Sequence, residues 1–161
     1  MWREMKEIMR ALSECYAELE KVSEAKRKAL AAMDLKAIEC VVKKEEKFAA
    51  EIECLEERRK QVLRGLAEKE TKIEPTMKLR DLCRCCPDSR LAGELEKLHE
   101  ELDRRMKTIE RFSENNALLA EGALAAVTAS LNRIGGATAG TSYGAGGKES
   151  VTRERRFDFK A

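Results

Sequence analysis

Cys83, Cys85 and Cys86 are the one tight cluster of ligand-type residues in the chain, and His99 follows thirteen residues after Cys86. Such a set could support a Cys3His zinc site. Structural zinc sites, however, usually present Cys-x2–4-Cys pairs on turns, and Cys-x-Cys-Cys has no matching second half here. On a helix, Cys83 and Cys86 share a face beside Leu79 and Leu82, which makes them small buried hydrophobes. His99 is the sole histidine, and no spacing pairs it with a nucleophile, so acid–base catalysis has little to work with. The many carboxylates are interleaved with Lys and Arg, the pattern of solvated helical faces. Gly144-Ala145-Gly146-Gly147 follows a helix instead of joining a strand to one, so it is not a phosphate loop. The residues therefore point to no catalytic, cofactor or metal site, and to a protein that is not an enzyme.

Composition agrees with that reading. The chain has 161 residues, of which 39% are charged and only 4% aromatic. This is the profile of long, salt-laced helices and not of a β-rich or enzyme-like core. Lys and Arg number 32 against 30 Asp and Glu, for a formal net charge of +2. With the signs interleaved, no phosphate-binding patch stands out, which argues against nucleic acid as a partner. Met1-Trp2-Arg3-Glu4-Met5-Lys6 has no apolar h-region, so no conventional signal peptide is expected. No apolar run approaches the ~20 residues that span a bilayer, and no membrane insertion is expected. The cytoplasm is the expected compartment, with the six cysteines reduced.

The elements that must position any binding residue are helices. Met5, Ile8, Leu12, Cys15, Leu19, Val22, Lys26, Ala29 and Met33 alternate steps of three and four, which predicts a first helix over about 2–32. Ile38, Val41, Glu45, Phe48, Ile52, Leu55, Arg59, Val62 and Leu66 continue in a second register, predicting a helix over about 35–72. Glu45 and Arg59 dilute that seam without breaking it. Between the two, Asp34 is a good N-cap, and Met33 with Ile38 has the spacing of a hydrophobic staple. A turn there folds the second helix back on the first; the alternative is one continuous helix through Ala31-Ala32, which propensity alone allows. Pro75 ends the second helix, Thr76 can cap a short segment over 77–86, and Pro87-Asp88 restarts the chain. Leu91, Leu95, Leu98, Leu102, Arg105, Ile109, Phe112, Asn116 and Leu119 then mark a third helix over about 88–134. The fold class is all-α: an antiparallel three-helix bundle with a long helical hairpin over residues 1–134, followed by a tail.

The third helix changes character along its length. From Ser113 to Ile134 only Glu114, Glu121 and Arg133 are charged. Leu119, Ala120, Ala123, Leu124, Val127, Leu131 and Ile134 form one apolar stripe. At ~1.5 Å per residue the first two helices reach roughly 48 and 54 Å and the third about 70 Å. The last helix is thus expected either to overshoot its partners by about three turns or to bend back near Ser113–Asn116. In both cases the stripe calls for a partner to cover it. Gly135-Gly136 is expected to stop the helix. Residues 135–161 read as a flexible Gly-rich tail that cannot bury enough to offset its ordering entropy. Within it lie Tyr143 and the pair Phe157-Asp158-Phe159 after a basic run.

Several segments, taken in order, resemble the FlgN family of flagellar export chaperones. Ala29-Leu30 with Asp34 is similar to the family's hairpin turn, and Leu55-Glu56-Glu57-Arg58-Arg59 with Leu63 to its Leu-Glu-x-x-Arg stretch. Thr76-Met77-Lys78-Leu79-Arg80-Asp81-Leu82 resembles the short segment that follows. The most specific likeness runs from Ser113 through Asn116, Leu119, Glu121, Leu124, Val127, Leu131 and Ile134 to Tyr143-Gly144-x-Gly146. Where the family usually has Asn-x-x-Asn, this chain has Ser113 and Asn116. The resemblance implies a cytoplasmic chaperone that holds hook–filament junction proteins by their C-terminal helical segments, prevents their premature association, and delivers them to the type III export gate. It implies a client site on Asn116, Leu119, Ala120, Ala123, Leu124, Val127, Leu131 and Ile134, and export-gate docking through Tyr143.

A coiled-coil adaptor or homodimeric scaffold, its stripe paired with a second copy, is the competing reading. It is also a state the empty chaperone could adopt. A zinc or thiol sensor ranks third. A monomer with an exposed stripe favours the chaperone, a tight dimer through residues 113–134 the scaffold, and bound zinc the sensor.

Overall fold

The computed structural model describes residues 1–137, together with the backbone of the residue pairs 142–143 and 149–150. The fold is all-α, built on four helices: α1 (Trp2–Ala31), α2 (Leu35–Ala67), the short α3 (Leu79–Arg84) and α4 (Ser89–Ala137). Two short strands follow, β1 (Ser142–Tyr143) and β2 (Glu149–Ser150), paired antiparallel with Ser142 opposite Ser150 and Tyr143 opposite Glu149. The chain divides into two compact units, Met1–Ala117 and Leu118–Ala161.

The hairpin turn between α1 and α2 follows from its local chemistry. Asp34 caps α2, its carboxylate accepting from the Ala37 N–H at 3.1 Å. On the other side, the N–H of Asp34 bonds to the Ala29 carbonyl and that of Met33 to the Leu30 carbonyl. This is a Schellman ending, which needs a left-handed residue after the C-cap. Met33 fills that position with φ 53°, where glycine is the usual occupant. Met33 itself is exposed and Ile38 half-buried, so the turn rests on these hydrogen bonds and on the Asp34 cap.

The first unit is held by the faces the heptads mark. Met5, Ile8, Met9 and Leu12 of α1, Val62, Leu63 and Leu66 of α2, Ile73, Leu82 and Cys83, and Leu95 and Leu102 of α4 form one core. Each of the fully buried Met and Leu side chains contributes about 1.5–3 kcal/mol relative to exposure. The polar seam positions find one another. Lys26 of α1 meets Glu45 of α2 at 2.6 Å, and Arg105 of α4 bridges Glu20 of α1 at 3.1 Å and Glu101 at 2.6 Å. Lys6 reaches Glu94 at 3.0 Å and Arg58 reaches Glu4 at 3.2 Å. These links run α4 in the same direction as α1 and α2 against both. Half-exposed pairs of this kind contribute little stability, about 0–1 kcal/mol each, but they fix register.

Several boundaries differ from the sequence expectation. α2 ends at Ala67 and not at 72. The chain turns over residues 68–72 so that Ile73 enters the core, and Trp2 Nε1 donates to Glu70 at 2.8 Å there. No Gly or Pro announces this turn; tertiary packing sets it. α3 begins after Lys78, so Thr76 is not its cap. α4 begins where expected, with Asp88 Oδ1 accepting from the N–H groups of Arg90 and Leu91 at 3.0 and 3.2 Å. It runs unbroken for 49 residues through Gly135-Gly136 to Ala137. Two glycines at a helix end cost about 1 kcal/mol each, too little to stop it one turn earlier.

Candidate functional site: an exposed apolar helix face

The part of α4 that lies in the second unit begins at Leu118. Its helical state owes much to composition, since Ala120, Ala123, Ala125, Ala126 and Ala129 are strong helix formers. From the stripe predicted by sequence, Leu124 is 68% exposed, Leu131 55% and Ile134 66%, with Leu119 and Val127 also exposed. Ala120 is exposed and Ala123 half-buried. These seven residues recur at steps of three and four and so share one helix face. Glu121 and Arg133 are the only charges between Leu118 and Ala137, which leaves the face almost free of competing hydration. An exposed apolar surface of this kind is a candidate interaction site.

Asn116, the eighth predicted site residue, is placed elsewhere. It belongs to the first unit and is 4% exposed. Its Nδ2 donates to the Ser23 carbonyl of α1 at 3.0 Å, and its Oδ1 is buried with no partner. The side chain is thus committed to the bundle. Leu118 was not singled out by the three–four spacing, yet it is as exposed as Ile134. It precedes Leu119 by one position, about 100° round the helix, and lies off the three–four series that begins there. Tyr143 has its backbone in β1, but its side chain lies outside the described residues, as does most of the tail expected over 135–161.

The cysteine cluster has a structural setting. Cys83 is buried in the core, and burial pushes its thiol up to about 11, with Glu96 adding in the same direction. Burial also raises Cys86, whose Sγ lies 3.5 Å from the Asp88 carbonyl that it can donate to. Cys15 is raised by burial and by Glu51. Thiols held protonated in this way are poor nucleophiles and poor ligands. Among the described residues, no group of three or more His, Cys, Asp or Glu is arranged to hold a metal ion. The salt links titrate as links should: the hydrogen bond from Arg105 holds Glu101 below the usual carboxylate range, and Lys6 does the same to Glu94.

The fold and the face together define a class, an all-α bundle that presents an apolar helical surface for recognition. The particular family follows from comparison with known proteins. A family model described as FlgN protein matches residues 1–150, and the chain belongs to the FlgN family. Neither a curated protein nor a solved structure matches the chain. FlgN proteins are flagellar export chaperones, a chaperone and not an enzyme family, so the chain is a flagellar export chaperone that binds flagellar client proteins. Among the described residues, no helix is long and apolar enough to cross a membrane.

Proposed function

We propose that this protein is a cytoplasmic chaperone of the hook–filament junction proteins. It holds their C-terminal helical segments on Leu119, Ala120, Ala123, Leu124, Val127, Leu131 and Ile134, prevents their premature association and delivers them to the type III export gate. The observation that supports this most is the exposed, nearly uncharged face of α4 between Leu119 and Ile134. An amphipathic helical segment lays its apolar side into such a face, with the alanines leaving shallow grooves for larger side chains. Release must follow capture, which suits a modest interface without buried charge pairs. Tyr143 has a separate role, docking to the export gate, where an aromatic body with a hydroxyl tip makes an effective anchor.

The test separates the two roles. Pull-down of a junction protein and of the gate's cytoplasmic domain is compared for the full chain, for Leu124→Asp with Leu131→Asp, and for Tyr143→Ala. The double variant is expected to lose the client with its helicity intact. Tyr143→Ala is expected to keep the client and lose gate binding. Equal loss of both by Tyr143→Ala would put the tyrosine at the client site. A tight dimer through residues 113–134 that excludes client would replace the chaperone reading with the scaffold.

A further inference from the structure

Leu35 is the most exposed large hydrophobic side chain among the described residues, at 79%, ahead of every member of the α4 stripe. It sits at the tip of the α1–α2 hairpin with Met33, 48% exposed, and with Ala31 and Ala32, both exposed. None of these side chains packs the turn, which its backbone bonds and the Asp34 cap already close. Met33 also holds φ 53°, a left-handed conformation that glycine adopts at less cost. Strain kept where packing does not need the side chain is a mark of a functional site. We infer that the hairpin tip docks on an anionic lipid surface, with Met33 and Leu35 entering the headgroup region and Arg27 and Lys36 meeting the lipid phosphates.

Charge selects this occupant. Residues 21–45, the two arms that meet at the tip, carry seven basic and four acidic side chains, a net +3. The whole chain has +2, so everything outside this segment sums to −1. Three of the basic residues are already paired, Lys26 with Glu45, Lys28 with Glu24 and Lys43 with Glu39. Arg27 and Lys36 are exposed and make no ion pair among the described residues. Arg27 lies about 6 Å along the axis from the end of α1, and Lys36 is the second residue of α2. Both are within a Debye length, about 8–10 Å, of whatever the tip touches. The acid at the tip, Asp34, has its carboxylate engaged with the Ala37 N–H.

Shape agrees with charge. Two packed helices joined by a tight turn end in a convex point. A partner helix buries its apolar side in a groove or along a stripe, and two side chains on a point offer neither. A lipid surface yields around a point and needs only a few apolar side chains and cations. The carbonyls of Lys28, Ala29 and Leu30 accept from the N–H groups of Ala32, Asp34 and Met33, so the end of α1 takes few orphan groups into the headgroups.

The contact is peripheral, since no described helix can cross a membrane and only two side chains enter. Each basic residue near an anionic surface strengthens binding about fivefold. Stable anchoring takes two lipid chains, or one with a polybasic patch, and the tip supplies less than either. Binding is therefore weak, reversible and sensitive to salt. It concentrates an export chaperone at the membrane its clients must cross.

The experiment is co-sedimentation of the full chain with vesicles of phosphatidylcholine, alone or mixed with phosphatidylglycerol, at low and high salt. Binding is expected to the mixed vesicles only, and to fall as salt rises. Met33→Gly with Leu35→Ser is expected to weaken it at least about tenfold, and Arg27→Gln with Lys36→Gln by a similar factor. Glycine relieves the strain at position 33 and Leu35 is exposed, so thermal unfolding of the first variant should show no loss of fold. Leu124→Ser with Leu131→Ser is expected to leave vesicle binding unchanged, which separates the tip from the α4 face. No binding to the mixed vesicles, equal binding to neutral ones, or binding that survives the tip variants would overturn the inference. Loss in the α4 variant would do so too, because the stripe would then be the lipid contact. Vesicle binding kept by a tip variant that no longer captures a protein would assign the tip to that protein instead.

Discussion

Two stretches of α4 follow the same three–four apolar spacing and meet opposite fates. Up to Ala117, Leu95 and Leu102 are buried, Leu91, Leu98, Ile109 and Phe112 half-buried, and charges flank the face on both sides. After Leu118, Leu124, Val127, Leu131 and Ile134 are exposed, and charges nearly vanish. Periodicity therefore identifies a face but not its occupant. What differs is what surrounds the face. In the first stretch Lys6–Glu94 and Glu20–Arg105 tie α4 to α1, and Asn116 closes the series with its hydrogen bond to Ser23. In the second stretch alanine propensity replaces packing as the source of helicity.

The largest expected effect sets the two stretches directly against each other. Leu95 is 1% exposed, and Leu95→Ala should cost about 2–5 kcal/mol of unfolding free energy by denaturant titration. Leu124→Ala should change it by no more than about 0.5 kcal/mol. Comparable losses would mean the second stretch is core.

Alkaline pH probes the buried thiols of the first unit. Cys83 is held protonated up to about pH 11 when folded, against 9.0 for an unperturbed thiol. Between these values the unfolded chain releases its proton and the folded chain does not, so stability is full below pH 9 and falls as pH rises toward 11. The loss is on the order of 1–2 kcal/mol once solvent screening is allowed for. Cys15 and Cys86 are raised in the same direction and add to the slope. Cys83→Ala should flatten the stability profile over that window; an unchanged slope would assign it to other groups.

Asn116 sharpens the boundary between the stretches. Its one hydrogen bond is set against a buried Oδ1 with no partner, a deficit of about 1–3 kcal/mol. Asn116→Leu removes both and should stabilise the bundle by about 1 kcal/mol in urea unfolding, because an unmet acceptor costs more than a single neutral bond returns. Destabilisation would mean that Asn116 fixes α4 on α1 by more than this one bond. The smallest effect lies at the hairpin. Met33→Gly relieves a left-handed methionine and should raise stability by about 0.5–1 kcal/mol in thermal unfolding, where an unrelated strain would leave it unchanged.

Much of the fold was legible because its signals are local. Asp34 and Asp88 act as the caps their positions suggest, and every member of the second heptad, Glu45 and Arg59 included, is at least half-buried. The end of α2 was not legible, because burial of Ile73 turns the chain there and no turn residue does. The partner of Asn116 was not legible either, since Ser23 lies 93 residues away in sequence and only packing brings them together. Of the candidate site, the stripe could be read residue by residue. The burial of Asn116 in the bundle could not, because it depends on long-range packing against α1.

Amide hydrogen exchange along α4, with and without a C-terminal helical peptide of a junction protein, tests the central claim most directly. An exposed helix exchanges readily and a covered one does not. The account predicts that peptide binding slows exchange across residues 119–134 at least about tenfold while residues 91–116 stay as they were. Protection confined to 91–116, or none in either stretch despite binding, would contradict it.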